Sequence, residues 1–493
     1  MTIAAGLASI KIAHPDRLFI GGAWVAPTGS DKIDVISPMT EERVLTVAAA
    51  NEADMDRAVA AARQAFDHGP WPNMQPSERA FWLRRFGEGL AARGIELGHA
   101  WTNQMGVLHR MAQGAAGRAK ESFDMYANMA TTFLFEDVRL PSIGGGQALV
   151  LREPVGVVAA IVPWNSPLSL GTAKLAPALL AGCTIVYKAS PEAPIEAYIF
   201  AEVADAIGLP AGVFNMVTAD RAASEHLIRN PGIDKVSFTG SSAAGRRIAS
   251  LLGERMARFT MELGGKSAAI VLDDMDAGTV AANLTASLCT MSGQVCAALT
   301  RIIVPSHRHE EFADAFGAAV GALRAGDPYD LSSHLGPLAM KRQLERVEGY
   351  IENGKAEGAK LIAGGKRPTG LNRGYYIEPT VFAGVSNSMT IAQEEIFGPV
   401  LCLIPAASEA AAISMANDSI FGLNGAVMTR DTERALAVAR QMHTGTVAQN
   451  HFRLDKTLPF GGFKQSGVGR EGGVDGLLPY LETKTVFLDR AVA

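Results

Sequence analysis

A chain of 493 residues is too long for one ordinary hydrophobic core and predicts two or three domains. Hydrophobic residues make up 48% and charged residues 19%, with a formal charge of −5, which excludes the basic excess of a nucleic-acid binder and the character of an acidic tail. No apolar run approaches the length of a membrane span, and Met1 to His14 holds only short apolar runs without a signal-cleavage pattern, so a cytoplasmic protein with no membrane partner is expected.

The first segment that stands apart is Leu140 to Glu153, an extended piece outside any helix-strand alternation. From Val155 short apolar strands alternate with helical stretches: a strand Val155 to Val162, a helix through Leu175 to Leu180, a strand Thr184 to Tyr187 and a helix Ile195 to Ile207. A strand Val213 to Val217, a helix near Glu225 to Arg229 and a strand Val236 to Thr239 continue the series. Strand-helix units with crossover lengths predict an α/β fold, a doubly wound parallel sheet with helices on both faces. A second α/β series follows, with strands near Arg301 to Val304, Val400 to Ile404 and Gly445 to Gln449, and helices near Glu310 to Leu323, Lys341 to Asn353 and Thr432 to Met442. Tyr480 to Leu488 is again extended and fits neither domain. Pattern alone leaves two readings for the extended pieces, a bridge between subunits or a cover for the molecule's own surface.

Three segments carry chemistry. Pro163, Trp164, Asn165, Ser166 and Pro167 place an amide donor on a proline-stiffened turn. Met261, Glu262, Leu263, Gly264 and Gly265 set one carboxylate among apolar residues and glycines, where partial desolvation raises its proton affinity. Gly293, Gln294, Val295 and Cys296 put a thiol at the junction of a helix-like run and the strand-like Ile302 to Pro305. Together they offer a nucleophile, a base and an oxyanion donor. The other three cysteines, Cys183, Cys289 and Cys402, lie in apolar stretches and read as small buried hydrophobes, and no pair has metal-ligand spacing, so neither a disulfide framework nor a metal is expected. Phe238, Thr239, Gly240 and Ser241, with Gly245, follow a strand and open a helix, which is either an anion-binding helix N-terminus or an ordinary glycine turn with a serine cap. Lys188 ends a strand at the side where open α/β sheets bind ligands, although such a lysine is more often a solvated charge.

In this order along the chain, PWNSP, ELGGK and GQVC, followed by EEIFGPV at Glu394 to Val400 and PFGGFKQSG at Pro459 to Gly467, resemble the NAD(P)-dependent aldehyde dehydrogenase superfamily over roughly residues 18 to 490. The resemblance implies Cys296 as nucleophile, Glu262 as base for water, Asn165 as oxyanion donor and Lys174 in proton relay. It implies a dinucleotide held by Trp164, Lys188, Gly240, Ser241, Gly245, Gly264, Glu395 and Phe397, with Glu394 a neighbour of no catalytic part. It also implies a dinucleotide-binding domain over 15–132 and 153–263, a catalytic domain over 264–466, and oligomerisation segments 133–152 and 467–493 that form a small bridging β-sheet in a homodimer or homotetramer.

Departures from the family pattern carry two more expectations. Ser166 and Ala173 replace bulk seen in many relatives, so a wide pocket with Leu170, Leu299 and Phe460, and with Met125 and Met129 nearby, is expected to take a bulky hydrophobic aldehyde. Pro191 stands where NAD-preferring relatives often have a glutamate, and Glu192 comes one place later, which weakens the exclusion of NADP; beyond Lys188 no basic residue in this stretch is committed to a phosphate, so NAD is the expected cofactor with NADP possible. Two rivals are a CoA-acylating aldehyde dehydrogenase, which usually lacks the glutamate, and a catalytically inactive structural or binding member, in which Cys296, Glu262 or Asn165 would have decayed.

Overall fold

The computed structural model describes Gly6 and residues 8–490. Residues 1–5, 7 and 491–493 lie outside the described residues, and with them part of the N-terminal stretch read for a leader and the end of segment 467–493. Among the described residues no helix is long and apolar enough to cross a membrane.

Five parallel strands form the centre of the first sheet, in the spatial order Phe214–Thr218, Thr184–Ala189, Val157–Ile161, Lys235–Thr239 and Arg258–Glu262. The chain builds outward from Val157–Ile161 in one direction and then restarts on its other side, so a topological switch point falls between this strand and Lys235–Thr239. Loops leaving the carboxyl ends of the two strands diverge there and open a crevice. The strands read as continuous apolar runs because both faces are covered. Tyr187 points into one core with Phe86, Phe123, Phe200 and Phe214, while its neighbour Val186 points into the opposite one with Met55, Val217 and Val236.

The second sheet has seven strands, ordered Lys360–Ala363, Thr380–Ala383, Val400–Ala406, Leu299–Pro305, Ser267–Val271, Asn424–Met428 and Thr446–Gln449, parallel except for the first. Ser267–Val271, Thr380–Ala383 and Asn424–Met428 were not expected from the sequence. SAAIV and NGAVM are small-residue segments with weak strand propensity, and burial between neighbours on both sides decides their state. The passage between the sheets is short: Glu262 ends a strand of the first sheet and Ser267 begins one of the second. Glu262 is thereby held between the two layers of the molecule.

The two extended pieces meet each other. Leu481–Leu488 pairs antiparallel along the whole of Gln147–Pro154, whose other edge takes Glu136–Arg139. The stretch from 467 does not begin in this small sheet, however, because Gly467–Val468 pairs with Met261 and Glu262 at the edge of the first sheet. Likewise residues 140–146 hold no strand, with bends over 142–146, and the strand starts only at Gln147.

Candidate active site

Cys296 follows a turn in which Met291, Ser292 and Gly293 take φ of 49°, 54° and 73°, three successive residues in the left-handed region. Such residues cost roughly 1 kcal/mol or more each outside glycine and persist where the surroundings fix them. Gly293 has a second constraint, since a Cβ there would collide with the Gly398 carbonyl of the EEIFGPV segment. The buried Gln294 side chain pins the turn, donating to the Met291 carbonyl at 3.0 Å and accepting from the Ala339 N–H at 3.0 Å. On the far side the Asn424 amide donates to the Ala297 carbonyl at 3.0 Å. The thiol sits on an over-determined loop, as precise chemistry requires.

Asn165 lies just beyond the strand Val157–Ile161, at the switch point. Its carbonyl accepts from the Trp101 indole at 3.0 Å and its Nδ2 donates to the Gln294 carbonyl at 2.9 Å, which turns the amide toward the cysteine loop and leaves a second N–H. A cavity of about 460 Å³ is lined by Trp164, Gly240, Ser241, Gly264, Glu395 and Phe397, together with Arg342, Gln343 and Arg346. A second cavity, of about 180 Å³, is lined by Met125, Ser166, Ala173, Met291, Val295 and Phe460 among others. Asn165, Leu170 and Cys296 line both. The thiol therefore stands where two chambers of different character meet.

The first chamber suits a dinucleotide. Helix Ser242–Gly253 begins at its wall, capped by the Ser241 hydroxyl accepting from the Ala244 N–H at 3.3 Å, and its remaining free N–H groups favour a diphosphate. Gly264 keeps the wall thin, because a Cβ there would strike the Glu395 carboxylate. Glu395 accepts from the Gly265 N–H at 3.1 Å, and burial raises its pKa to about 7. Phe397 is held at φ 61°, with its carbonyl accepting from Gln343 at 2.6 Å and its ring edge-on to Trp164 at 5.3 Å.

Glu262 is almost fully buried, and both of its carboxylate oxygens lack a hydrogen-bond partner among the described residues. Burial, with the neighbouring Glu471 carboxylate, drives its pKa well above the ordinary value. Lys174 is not the surface residue that an isolated lysine tends to be: it is fully buried, donating to Glu471 at 2.5 Å and to the Thr239 hydroxyl at 2.7 Å. Sequence reading passed over Glu471, although Gly469, Arg470, Glu471, Gly472 and Gly473 repeat the signal used for Glu262, a carboxylate among glycines. It also passed over Arg342, Gln343 and Arg346, which sit on the helix Lys341–Ala356 and reach across to the first chamber.

Several expected residues stand elsewhere. Leu299 lines neither chamber; it opens a central strand and is buried in the core with Ile302 and Phe312. Met129 packs against the helical core instead of the pocket. Gly245 gives the helix Ser242–Gly253 its close approach to Leu263 and does not face the chamber. Lys188 is buried and does not line the first chamber, and burial lowers its pKa to about 8, with Glu192 and Asp220 opposing. Cys183 and Cys402 are buried as expected, whereas Cys289 is only half-buried, because the helix Ala277–Leu288 ends just before it.

Burial, and then the Glu395 and Glu262 carboxylates, push the Cys296 thiol up to about 12. Below that value the thiolate fraction rises about tenfold per pH unit. In the cofactor-free protein, alkylation of Cys296 by iodoacetamide is therefore expected to accelerate steadily from pH 7 to pH 10 with no plateau. Peptide-resolved mass spectrometry measures it against Cys289, and a plateau near pH 7 would refute it.

Whole-chain comparisons place the protein among known families. Residues 24–486 match the model of the aldehyde dehydrogenase family. The chain is 43% identical to geranial dehydrogenase of Castellaniella defragrans, covering 96% of this chain and 98% of that one. It is 42% identical to 3-succinoylsemialdehyde-pyridine dehydrogenase of a Pseudomonas species, over 95% and 98% of the two chains. An aldehyde dehydrogenase of Mycobacterium tuberculosis, solved with NAD+, superposes with a TM-score of 0.93 at 45% identity over 96% of this chain and 98% of that one. A cysteine-to-alanine mutant of aldehyde dehydrogenase C from Pseudomonas syringae, solved with NAD+ and octanal, gives a TM-score of 0.93 at 40% identity over 98% and 99%. With the family model matching nearly the whole chain and every segment of the site, the chain belongs to the aldehyde dehydrogenase family.

Proposed function

We propose that this protein oxidises a bulky hydrophobic aldehyde to its carboxylic acid with NAD, through a thioester on Cys296. One observation carries the reading: Cys296 is shared by a chamber built for a dinucleotide and a second, largely apolar chamber. The dinucleotide, when bound, accepts a hydride. The Cys296 thiolate attacks the aldehyde carbonyl, and the resulting oxyanion is held by the free N–H of the Asn165 amide and by the Cys296 backbone N–H. Removing such a donor costs on the order of 3 kcal/mol of barrier stabilisation. Loss of hydride from the thiohemiacetal carbon leaves a thioester, and Glu262 takes a proton from the water that cleaves it. Lys174, paired with Glu471, sets the charges that act on that carboxylate, the Glu471 carboxylate raising its proton affinity and the Lys174 ammonium lowering it.

On this reading Trp164, Gly240, Ser241, Gly264, Glu395 and Phe397 hold the cofactor, with Lys188 at the adenosine end and Gly245 acting through helix packing. The dinucleotide-binding unit takes 15–132 and 153–263, and the catalytic unit 264–466. The small sheet serves a homo-oligomer, for which the exposed Val138, Leu140, Ile143 and Phe487 supply apolar surface. A cytoplasmic setting fits four free thiols.

The second chamber supports this substrate class. Met125, Leu170, Met291, Val295 and Phe460 supply adaptable apolar walls, and Ser166 and Ala173 leave width near the thiol. Each buried methylene contributes about 0.8 kcal/mol, so an eight- to ten-carbon aldehyde is expected to exceed acetaldehyde in kcat/KM by at least about tenfold. An NADH absorbance assay with octanal, a cinnamaldehyde-sized substrate, acetaldehyde and succinate semialdehyde checks this. The substrate reading fails if either small aldehyde is preferred, and the enzyme reading fails if none gives NADH.

A further inference from the structure

We propose that Trp101 is a positioning residue for this reaction: the helix that carries it holds the oxyanion amide of Asn165 and the turn of Cys296 in register. The inference rests on the functional reading above and deepens it, by naming what fixes the two donors of the oxyanion site relative to each other.

The helix Gly94–Met105 is buried along most of its length, between the loop that carries Asn165 and the segment 325–339 of the second sheet's layer. Residues four apart on a helix share a side and residues two apart do not, and this helix uses both spacings. Trp101 faces Asn165, its indole donating to the Asn165 backbone carbonyl at 3.0 Å. His99 and Asn103 face the other way, toward Tyr329, whose hydroxyl lies 2.9 Å from His99 Nδ1 and accepts from the Asn103 amide at 2.8 Å. Just beyond the helix the backbone is tied to the same segment. The His109 N–H donates to the Pro328 carbonyl at 3.0 Å, and Gly336 lies so close to the Gly106 carbonyl that a Cβ there would collide.

Both sides of the helix lead to the cysteine turn. Asn165, held by Trp101, donates from Nδ2 to the Gln294 carbonyl at 2.9 Å. On the other side the Gly336 carbonyl accepts from the Ser292 hydroxyl at 2.9 Å, and the Ala339 N–H donates to the Gln294 side chain at 3.0 Å. These bonds close a circuit that runs from the helix through Asn165 and Gln294 to segment 325–339 and back to the helix. The Asn165 amide and the Cys296 backbone N–H therefore separate only when a buried bond of the circuit breaks. Displacing a catalytic group by about 1 Å costs up to about a hundredfold in rate, and deleting an oxyanion donor outright costs about a hundred- to a thousandfold. A loosened Asn165 turn is thus expected to cost less than a deleted amide, by an amount that kinetics resolves.

The test compares Trp101→Phe, Asn165→Ala and the double variant with wild type, with Tyr329→Phe as a cut on the circuit's other side. Trp101→Phe removes the indole N–H and keeps an aromatic ring in place. Asn165→Ala removes the amide and keeps the carbonyl that the indole binds. The first-turnover burst of NADH with octanal is expected to slow about tenfold in Trp101→Phe, with NADH affinity within about twofold of wild type, and severalfold in Tyr329→Phe. In the Asn165→Ala background the same Trp101→Phe change is expected to alter the burst rate by less than about twofold, because the amide that it positions is gone. An equal loss in both backgrounds would make Trp101 a folding residue only and overturns the proposal, as does an unchanged burst in Trp101→Phe. Alkylation of Cys296 by iodoacetamide at fixed pH needs no turnover, and it is expected to accelerate severalfold in Trp101→Phe and Tyr329→Phe as the turn loses a fixed partner. A wild type that yields no NADH from any aldehyde refutes the functional reading, and the alkylation rates then decide the circuit alone: rates equal to wild type overturn it.

Discussion

Cys296→Ala is expected to lower aldehyde oxidation by at least about a thousandfold while NADH titration still finds a binding site of near wild-type affinity. The size of the loss follows from the chemistry. Without the thiol no covalent adduct forms, and hydride would have to leave an aldehyde hydrate that no group here generates. Geometry supports the selectivity of the effect, because the turn before Cys296 is fixed by Gln294 and by Gly293 against Gly398, and neither contact uses the sulfur. Cysteine and alanine are close in size, so the loop should keep its form. Steady-state NADH production and the titration together decide the matter; turnover above a few per cent would remove Cys296 from the nucleophile's role.

Much of the site was legible because its residues carry conformational as well as chemical signals. Proline flanks Asn165, glycines flank Glu262 and Cys296, and each motif sits where a strand or helix stops, so chemistry and position could be read from the same letters. The residues that escaped reading are contributed by tertiary crossing. Arg342 and Arg346 lie on an amphipathic helix whose charged positions look like any solvated face, and only the packing of one sheet's layer against the other turns them toward the dinucleotide chamber. Leu299 errs in the opposite direction: three residues after Cys296 it looked like a wall of the pocket, but strand alternation sends it into the core. The missed strands Ser267–Val271 and Asn424–Met428 have the same origin, since alanine- and glycine-rich segments become central strands only when neighbours on both sides pair with them.

Glu262→Gln is expected to leave a first-turnover burst of NADH close to one equivalent per site and to reduce the steady-state rate that follows by about a hundredfold or more. The order of steps is the reason: hydride leaves before water enters, so a group that serves only the water is silent until the thioester has formed. Both Glu262 oxygens are buried and without a hydrogen-bond partner among the described residues, and Glu471 lies close enough to oppose a second negative charge, so the wild-type group holds its proton to an unusually high pH. A base acts only after that proton has gone. Wild-type kcat is therefore expected to rise with pH through the neutral and mildly alkaline range, and to lose that rise in Glu262→Gln, whose amide does not titrate. Lys174, bound to Glu471, limits the repulsion, which makes the Lys174–Glu471 pair part of what sets this profile. Stopped-flow absorbance at several pH values separates the burst from the steady state. A variant with no burst would move Glu262 to an earlier step, as the acceptor of the Cys296 proton, and a pH-independent wild-type kcat would mean that thioester hydrolysis does not limit turnover.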